Sequence, residues 1–568
     1  MVALTKDVVV VGSGGAGLTA AIVAAQQGLE VLVVEKTEYL GGTTALSGGG
    51  LWIPANRLGA EAGHADSVDA ARRYLRATIG PSLDPVVLEA FLKAGPEMID
   101  WLHAHTEVRY EVMTGFPDWS PDAEGATEAG RMLSPLNDDG RLLGDSLAQL
   151  RAPLANFNAP GGFMIALGDM PHLNNATKSL ASFWYLLKLL ARFAWDRLRY
   201  PRGTRLTMGN ALVARLLRSA RSSRVEWWRQ SPAQQLHVDD GRVTGITVIR
   251  DGKPLRIAVR RGVVLASGGF SANPQMRAQY MPYAEHHVSL TPDGNTGDGL
   301  QMALAAGAMM EEKNLQNGAW VVMSVAHKPD GSIEKFPHLF LDRGKPGCIA
   351  VNAAGQRFAN EAAMDMVERM HASGSVPAYL VCDARFMRKY GLGLVKPGGL
   401  GLKKWLAAGY IKTAPSLQAL ATLISVDAAG LAASVEKANC YAQAGIDADF
   451  GKGRQPGDAM MGDPAHGPNP CLGRIETAPF YAVKIQPGDS TTTLGLRVDG
   501  EARVLDAQGA PITGLYAAGL DMNSLWRGKS PGHGANNSIS LTFGYLAGQS
   551  LARLPAQVAQ PAASSPSS

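Results

Sequence analysis

Cysteine is scarce: four in 568 residues, Cys348, Cys382, Cys440 and Cys471, with no Cys-x-x-Cys pair. Thiols so far apart form neither a metal cluster nor a disulfide framework, so reduced cysteines in a cytoplasmic protein and no bound metal are the expectation. Long hydrophobic runs are missing too. No apolar stretch reaches the roughly 18 residues of a membrane span. A strand-like run already follows Asp7, so no secretory leader is expected. Excess charge is small, +4 overall and spread along the chain, which gives no basic stripe for nucleic acid. No internal repeat is visible. With 46% hydrophobic and 18% charged residues the composition is globular, and the length calls for two or three domains.

What is present is concentrated near the beginning. Val8, Val9, Val10 and Val11 form a β-branched run that ends in Gly12-Ser13-Gly14-Gly15-Ala16-Gly17. Residues 18–27 read as a helix and residues 30–34 as a second strand, which ends in Glu35 and Lys36. A strand, a Gly-x-Gly-x-x-Gly turn, a helix and a strand tipped with an acid make a dinucleotide site. Gly12 allows the tight turn, Gly14 lets the backbone approach a pyrophosphate, and Gly17 lets the helix pack on the strand. The helix N-terminus offers free N–H groups to the phosphates, and Glu35 is placed to accept the ribose hydroxyls. A second loop follows, Gly41-Gly42-Thr43-Thr44-Ala45-Leu46-Ser47-Gly48-Gly49-Gly50. Nicotinamide-binding domains seldom continue this way; a second set of backbone donors suits a larger cofactor.

Further along, residues 67–94 and 97–105 read as helices with charged faces and apolar stripes. Residues 183–193, FWYLLKLLARF, are the most apolar helical stretch and lead into Arg197, Arg199, Arg202 and Arg205. Composition favours a buried helix with a solvated basic end; peripheral membrane contact through residues 183–202 is the other reading. A helix opening at residue 207 precedes short strands at 225–228, 233–238, 243–250 and 255–259, with a hairpin turn at Asp239-Asp240-Gly241. Residues 261–270 form a buried strand ending in Ala266-Ser267-Gly268 and return the chain to the nucleotide sheet. A Gly-rich turn holding Asp298 enters a helix at 300–306, and residues 480–485 and 514–519, ending in Gly519, read as strands returning to the cofactor. The tail, 556–568, is Ser/Pro/Ala-rich and expected to be disordered.

These segments resemble the FAD-binding fold of the fumarate reductase and 3-ketosteroid dehydrogenase flavoprotein superfamily. The resemblance to 3-ketosteroid dehydrogenases covers nearly the whole chain. It includes TALSGGG at 44–50, TMGNALVARLL at 207–217, GVVLASGGF at 262–270, VNAAGQRFANE at 351–361, GLYAAG at 514–519 and LTFGYLAG at 541–548. It implies FAD as cofactor, with Ser538 and Ile539 among the residues near it, and an α/β class. The Rossmann-like FAD-binding domain, of glutathione reductase type, would span 1–300, with a helical insertion at about 58–204. An α+β substrate or cap domain would span 301–478, and 479–555 would return to the FAD domain. It also implies desaturation of a cyclic ketone, a steroid or a smaller cyclohexanone, with a separate electron acceptor. The α proton would go to a base and the β hydride to flavin N5.

All three tyrosine roles of that family are altered here. The paired tyrosines fall at Trp119-Ser120, the tyrosine base at Asp365, and the third tyrosine in Ser530-Pro531-Gly532-His533-Gly534. Asp365 is therefore the expected base, provided burial raises its pKa. Gly534 N–H is the first expected donor to the ketone oxygen, with Ser530 or His533 as the second. Trp119 and Ser120 would line the pocket, and the bulk of Trp119 points to a ring smaller than a steroid. Arg527 and Lys529 fall where fumarate reductase relatives keep carboxylate-binding residues, and Glu361 reads as a structural anchor. An ene-reductase with a carboxylate substrate, and a flavin-binding protein without turnover, are the alternative readings.

Overall fold

The structure, a computed structural model, describes residues 4–159, 162–175, 179–339 and 341–556. The tail expected to be disordered lies, except for residue 556, outside the described residues. The chain divides into two compact units, one of residues 1–273, 291–317 and 492–568, the other of 274–290 and 318–491. The second unit therefore starts and ends later than the expected 301–478 and also takes in 274–290. The segment 58–204 lies within the first unit.

In the first unit, five strands lie parallel in the order Glu226–Trp228, Val31–Val34, Leu4–Val11, the end of Lys253–Leu265, and Pro511–Ala517. Val10 pairs with Val33 on one side and Val264 on the other. Val8 to Val11, Val31 to Val34 and Val263 to Leu265 are all buried, as expected of a parallel sheet covered on both faces. The strand expected at 255–259 and the one ending at 266 are a single 13-residue strand, Lys253–Leu265. Its first half turns back on Arg242–Arg250 and that on Ala233–Asp239. Their tight turn has Asp240 and Gly241 at φ 49 and 72, the left-handed pair a two-residue hairpin favours.

Two helices, Gly15–Gln26 and Ala535–Arg553, pack closely because small residues meet. A Cβ at Gly544 would lie 2.4 Å from the Ala16 carbonyl oxygen, and one at Gly548 would lie 2.7 Å from Val23 Cβ. The helices expected at 67–94 and 97–105 are divided elsewhere, as Val68–Ile79 and Pro85–His105. The chain breaks where Gly80 takes φ +81, and Asp84 caps the new helix by accepting from the N–H groups of Val86 and Val87. The second helix runs on through Pro96.

Residues 180–197 form a helix as expected, but not a buried one. Only Ser182 and Asp196 are buried, while Phe183, Trp184, Leu187, Leu190 and Trp195 are exposed.

The second unit is built on a sheet ordered Ile333–Pro337, Gly318–His327, Phe480–Thr492, Ala378–Cys382, Cys348–Val351. The strand expected at 480–485 to return to the nucleotide sheet belongs here instead. It pairs antiparallel with Ala378–Cys382 and with Ile411–Ala414, and the chain rejoins the first unit at 492.

Candidate active site

The carboxyl ends of the parallel strands open onto a cleft, the usual ligand position in such sheets. Four of the five strands each deliver one wall. Val11 leads into Gly12 to Ala16, Val34 into Glu35 and Lys36, Leu265 into Ala266 to Gly268, and Ala517 leads toward Gly519 and Leu520. Gly42, Thr43 and Thr44 of the second glycine loop close it, with Asp298 opposite. All these expected cofactor residues thus line one cavity. Gly17, Ser47, Gly48, Gly49, Ser538 and Ile539 do not. Gly17 instead fills its packing role: a Cβ there would sit 2.1 Å from the Gly12 carbonyl oxygen. Ser538 is buried, with its Oγ accepting from Trp52 N–H at 2.6 Å and donating to the Gly534 carbonyl. It is Ser540, further along the helix, that reaches the cleft.

The cleft fits FAD on two observations. A Cβ at Gly14 would meet nothing within 4 Å, so its backbone faces open space at the N-terminus of the helix, where phosphate oxygens bind. Arg151, also lining the cleft, donates from one terminal nitrogen to Thr37 Oγ1 at 2.9 Å, yet its buried Nε–H has no acceptor among the described residues. A buried cationic donor of this kind calls for an acceptor on a ligand. Glu35 is more committed than expected. Ser13 N–H and Oγ donate to one oxygen at 3.2 and 2.6 Å, and Thr37 N–H and Oγ1 to the other, each at 2.9 Å. These donors fill a carboxylate's four lone-pair positions, so a ribose hydroxyl would have to replace one of the side-chain hydroxyls.

The motif reading also missed Asn295 and Asp521. Asn295 Nδ2 donates to Thr43 Oγ1 and the Gly268 carbonyl, tying two walls together. Asp521 is fully buried and accepts from the N–H groups of Ser267 and Gly269, shaping the 267–269 turn, and burial raises its pKa. Asn295 stands inside a glycine-rich motif and was legible there. Arg151 stands in no motif.

A second constellation gathers around residues 530–534. Gly534 precedes the helix Ala535–Arg553 at φ +86, and a Cβ there would lie 2.4 Å from Gly50 C. The tight contact sets the second glycine loop against the N-terminus of this helix, and Asn537 Nδ2 reinforces it by donating to Ser47 Oγ and the Gly50 carbonyl. Pro531's carbonyl accepts from Tyr74 Oη at 2.7 Å and from Trp119 N–H at 3.2 Å. Tyr74 Oη in turn accepts from Ser120 N–H. Segments 117–120 and 530–534 are therefore stitched together. His533 is buried with Phe116 and Trp119 edge-on, each ring centroid 5.2 Å away. Burial lowers its pKa to about 4, so the imidazole is neutral near pH 7. Trp119 is half-buried and Ser120 exposed. Ser530 Oγ donates to the Gly532 carbonyl, which commits it to the loop. Beneath them, Asp118 accepts from Trp52 Nε1 and Arg131, each at 2.7 Å, a buried brace. Arg527 pairs with Glu311 at 2.7 Å and also donates to Asn314, and Lys529 is exposed.

In the second unit, Asp365 precedes the helix Met366–Ser373. Its side chain is 39% exposed and pairs with Arg369 at 3.0 Å. The burial expected of a base is absent there. Glu361, by contrast, is fully buried, accepting from Arg357 and Ala350 N–H and lying 3.1 Å from Lys452 Nζ. Against the cost of burial, these cations and donors hold its pKa at about 2, which fits the anchor role.

The family described as FAD binding domain matches residues 7–537. A 4-oxocyclohex-2-ene-1-carboxylate 5-dehydrogenase of Sinomonas cyclohexanicum is 38% identical, over 96% of this chain and 94% of its own. A 3-oxosteroid 1-dehydrogenase of Mycolicibacterium smegmatis is 35% identical, over 96% and 97%. A crystal structure of 3-ketosteroid Δ1-dehydrogenase from Sterolibacterium denitrificans, in complex with 1,4-androstadiene-3,17-dione, superposes with a TM-score of 0.89 at 37% identity. It covers 97% of this chain and 99% of that one. A likeness of this extent, on a fold whose cleft fits the cofactor, means that the chain belongs to the FAD-binding-domain family and is an FAD-dependent oxidoreductase of the 3-ketosteroid dehydrogenase type.

Proposed function

We propose that this enzyme introduces a C=C bond between the α and β carbons of a cyclic ketone, and that the ring is a monocyclic cyclohexanone rather than a steroid. The reaction class is supported by relatives named for desaturation of 4-oxocyclohexane carboxylates and 3-oxosteroids. The observation that carries the smaller ring is the aromatic crowding of His533, whose imidazole meets the edges of both Phe116 and Trp119. An indole there takes up volume that a fused ring system would need.

Bound FAD supplies the acceptor for the hydride that leaves the β carbon. The chain's own part is to make the α C–H acidic, which requires stabilising negative charge as it grows on the ketone oxygen. Gly534 stands at the positive end of the helix Ala535–Arg553, where N–H groups are not used by the helix itself. Its N–H is the principal donor in this reading. A fixed donor of this kind is typically worth on the order of 10²–10³ in rate. His533, neutral near pH 7 because it is buried, can donate an N–H without carrying a charge into the site. The ene-reductase reading gains little, because Arg527, its carboxylate partner, is already paired with Glu311.

An anaerobic panel tests the proposal. Holoenzyme is mixed with 4-oxocyclohexanecarboxylate, with unsubstituted cyclohexanone and with a saturated 3-ketosteroid, and enone absorbance and flavin bleaching are followed. Monocyclic ketones should bleach the flavin and yield enone, at least about ten times faster than the steroid, the discrimination expected of a pocket-size difference. Faster steroid turnover would reject the ring size. Bleaching by no ketone would reject the reaction.

A further inference from the structure

The helix Leu180–Arg197 is inverted with respect to water. Its inner face carries polar anchors beside the half-buried Leu186, Leu189 and Phe193: Asp196 accepts from Thr204 N–H and Oγ1 at 2.8 and 2.7 Å, and Tyr185 Oη donates to Asp169 at 2.7 Å. Its outer face is apolar. Leu180 is 79% exposed, Leu198, just past the helix, 77%, Trp195 58% and Trp184 57%, with Phe183, Leu187 and Leu190 beside them.

At 100° per residue these side chains, with Ala191 and Ala194, fall in one arc of about 140°. Cations stand on both edges of the arc, Arg197 on one and Lys188, Arg192 and Arg199 on the other. The helix's single acid, Asp196, lies on the opposite, inner face. Lys188, Arg197 and Arg199 form no ion pair among the described residues, and Arg199 lies over the Trp195 ring at 4.9 Å. Such an arc would be a liability in water.

We propose that this helix lies in the headgroup region of an anionic lipid bilayer, holding the enzyme on a membrane surface. Three features favour that occupant over others. Tryptophan and phenylalanine on the apolar arc, with cations along its edges, are the pattern of a helix lying in the plane of the interface. Eighteen residues span only about 27 Å, and no described helix is long and apolar enough to cross a membrane, so the helix lies flat rather than spanning. A second copy fits poorly. With both edges cationic and no acid on the arc, two such faces would bring like charges together in any orientation.

The test uses full-length holoenzyme and sucrose-loaded vesicles, of phosphatidylcholine alone or with about one third phosphatidylglycerol. Co-sedimentation should be strong with the anionic vesicles, weak with the neutral ones, and should fall as salt is raised. Trp184→Glu combined with Trp195→Glu should lower partitioning at least about tenfold, since each buries an aromatic ring in the interface. Both positions are exposed and outside the cofactor cleft, so flavin absorbance and turnover of a water-soluble ketone should not change. Lys188→Gln with Arg197→Gln and Arg199→Gln should weaken binding to anionic vesicles and leave binding to neutral ones as it was. No sedimentation with anionic vesicles would overturn the proposal. So would an oligomer that Trp184→Glu dissolves while leaving vesicle binding intact.

Discussion

At the scale of single residues, the glycine turn separates two reasons for having no side chain. Gly12 sits at φ +106, and a Cβ there would come within 2.2 Å of the Ala266 carbonyl oxygen. Gly14 has ordinary φ and open space; what excludes a side chain is the cofactor. Gly12→Ala is therefore expected to damage folding, with about 1–2 kcal/mol lost to backbone strain alone and more to the clash. Gly14→Val is expected to give well-folded, colourless protein. Far-ultraviolet circular dichroism and flavin absorbance on the two variants distinguish the causes, and Gly14→Val retaining full flavin would contradict the phosphate site. Arg151→Met keeps the bulk and removes the orphaned donor. It should raise the dissociation constant of FAD about tenfold, the value of one charge-assisted hydrogen bond, measured by titrating apoprotein with the cofactor.

Among the elements, the loop at 530–534 shows how a donor is held by residues remote in sequence. Tyr74 Oη both donates to the Pro531 carbonyl and accepts from Ser120 N–H, so Tyr74→Phe removes two buried links at once. The expected cost is about 1–3 kcal/mol, seen as a lower melting temperature, together with a fall in kcat at normal flavin content as His533 and Gly534 lose their fixed position. Unchanged kcat would mean that the loop does not depend on this tether.

Elements of this kind also mark where the sequence was legible. The strand from Leu4 to Val11, its glycine turn and the acid at 35 were plain because several independent signals fell in register within 30 residues. Residues 117–120 and 530–534 were brought together only by resemblance to a family, and the structure joins them through hydrogen bonds that no local pattern encodes. The strand Phe480–Thr492 was placed in the wrong sheet because an apolar β-branched run looks the same whichever sheet completes it. The helix Leu180–Arg197 was expected to be buried because composition measures how greasy a segment is and not which way it faces. There the polar residues Ser182 and Asp196 turned inward, where they find partners, and most of the apolar ones outward.

For the molecule as a whole, the two units carry different acid sensitivities. In the second unit, His287 and His371 stand 3.0 Å apart through their Nε2 atoms, and burial lowers their pKa values to about 3 and 4. Both are neutral when native, whereas the unfolded chain takes up protons below an ordinary histidine value of 6.5. Their contribution to stability is therefore whole above 6.5 and is lost as pH falls toward about 3. Glu361, held at about 2 against an ordinary 4.5, adds a second loss, present above 4.5 and gone as pH nears 2. In the first unit His103, His237 and His533 act in the same direction as the other histidines. Asp118 and Asp521, raised by burial, act oppositely because the native state binds their protons more readily as pH falls, as Asp458 does in the second unit. The second unit alone combines the close histidine pair with Glu361. Acid should thus open the second unit at a higher pH than the first. Hydrogen exchange on the holoenzyme, stepped from pH 7 to 3 and corrected for intrinsic rates, should show it. Amides of Cys348–Val351 and Ala378–Cys382 should lose protection before those of Leu4–Val11 and Val31–Val34. Glu361→Gln should destabilise the second unit at pH 7 by about 3–5 kcal/mol, because Arg357 and Lys452 would then face a neutral amide. It should also flatten the fall in stability between pH 4.5 and 2. If both sheets open with one midpoint, and the midpoint does not move in Glu361→Gln, the acid response does not reside in this buried network.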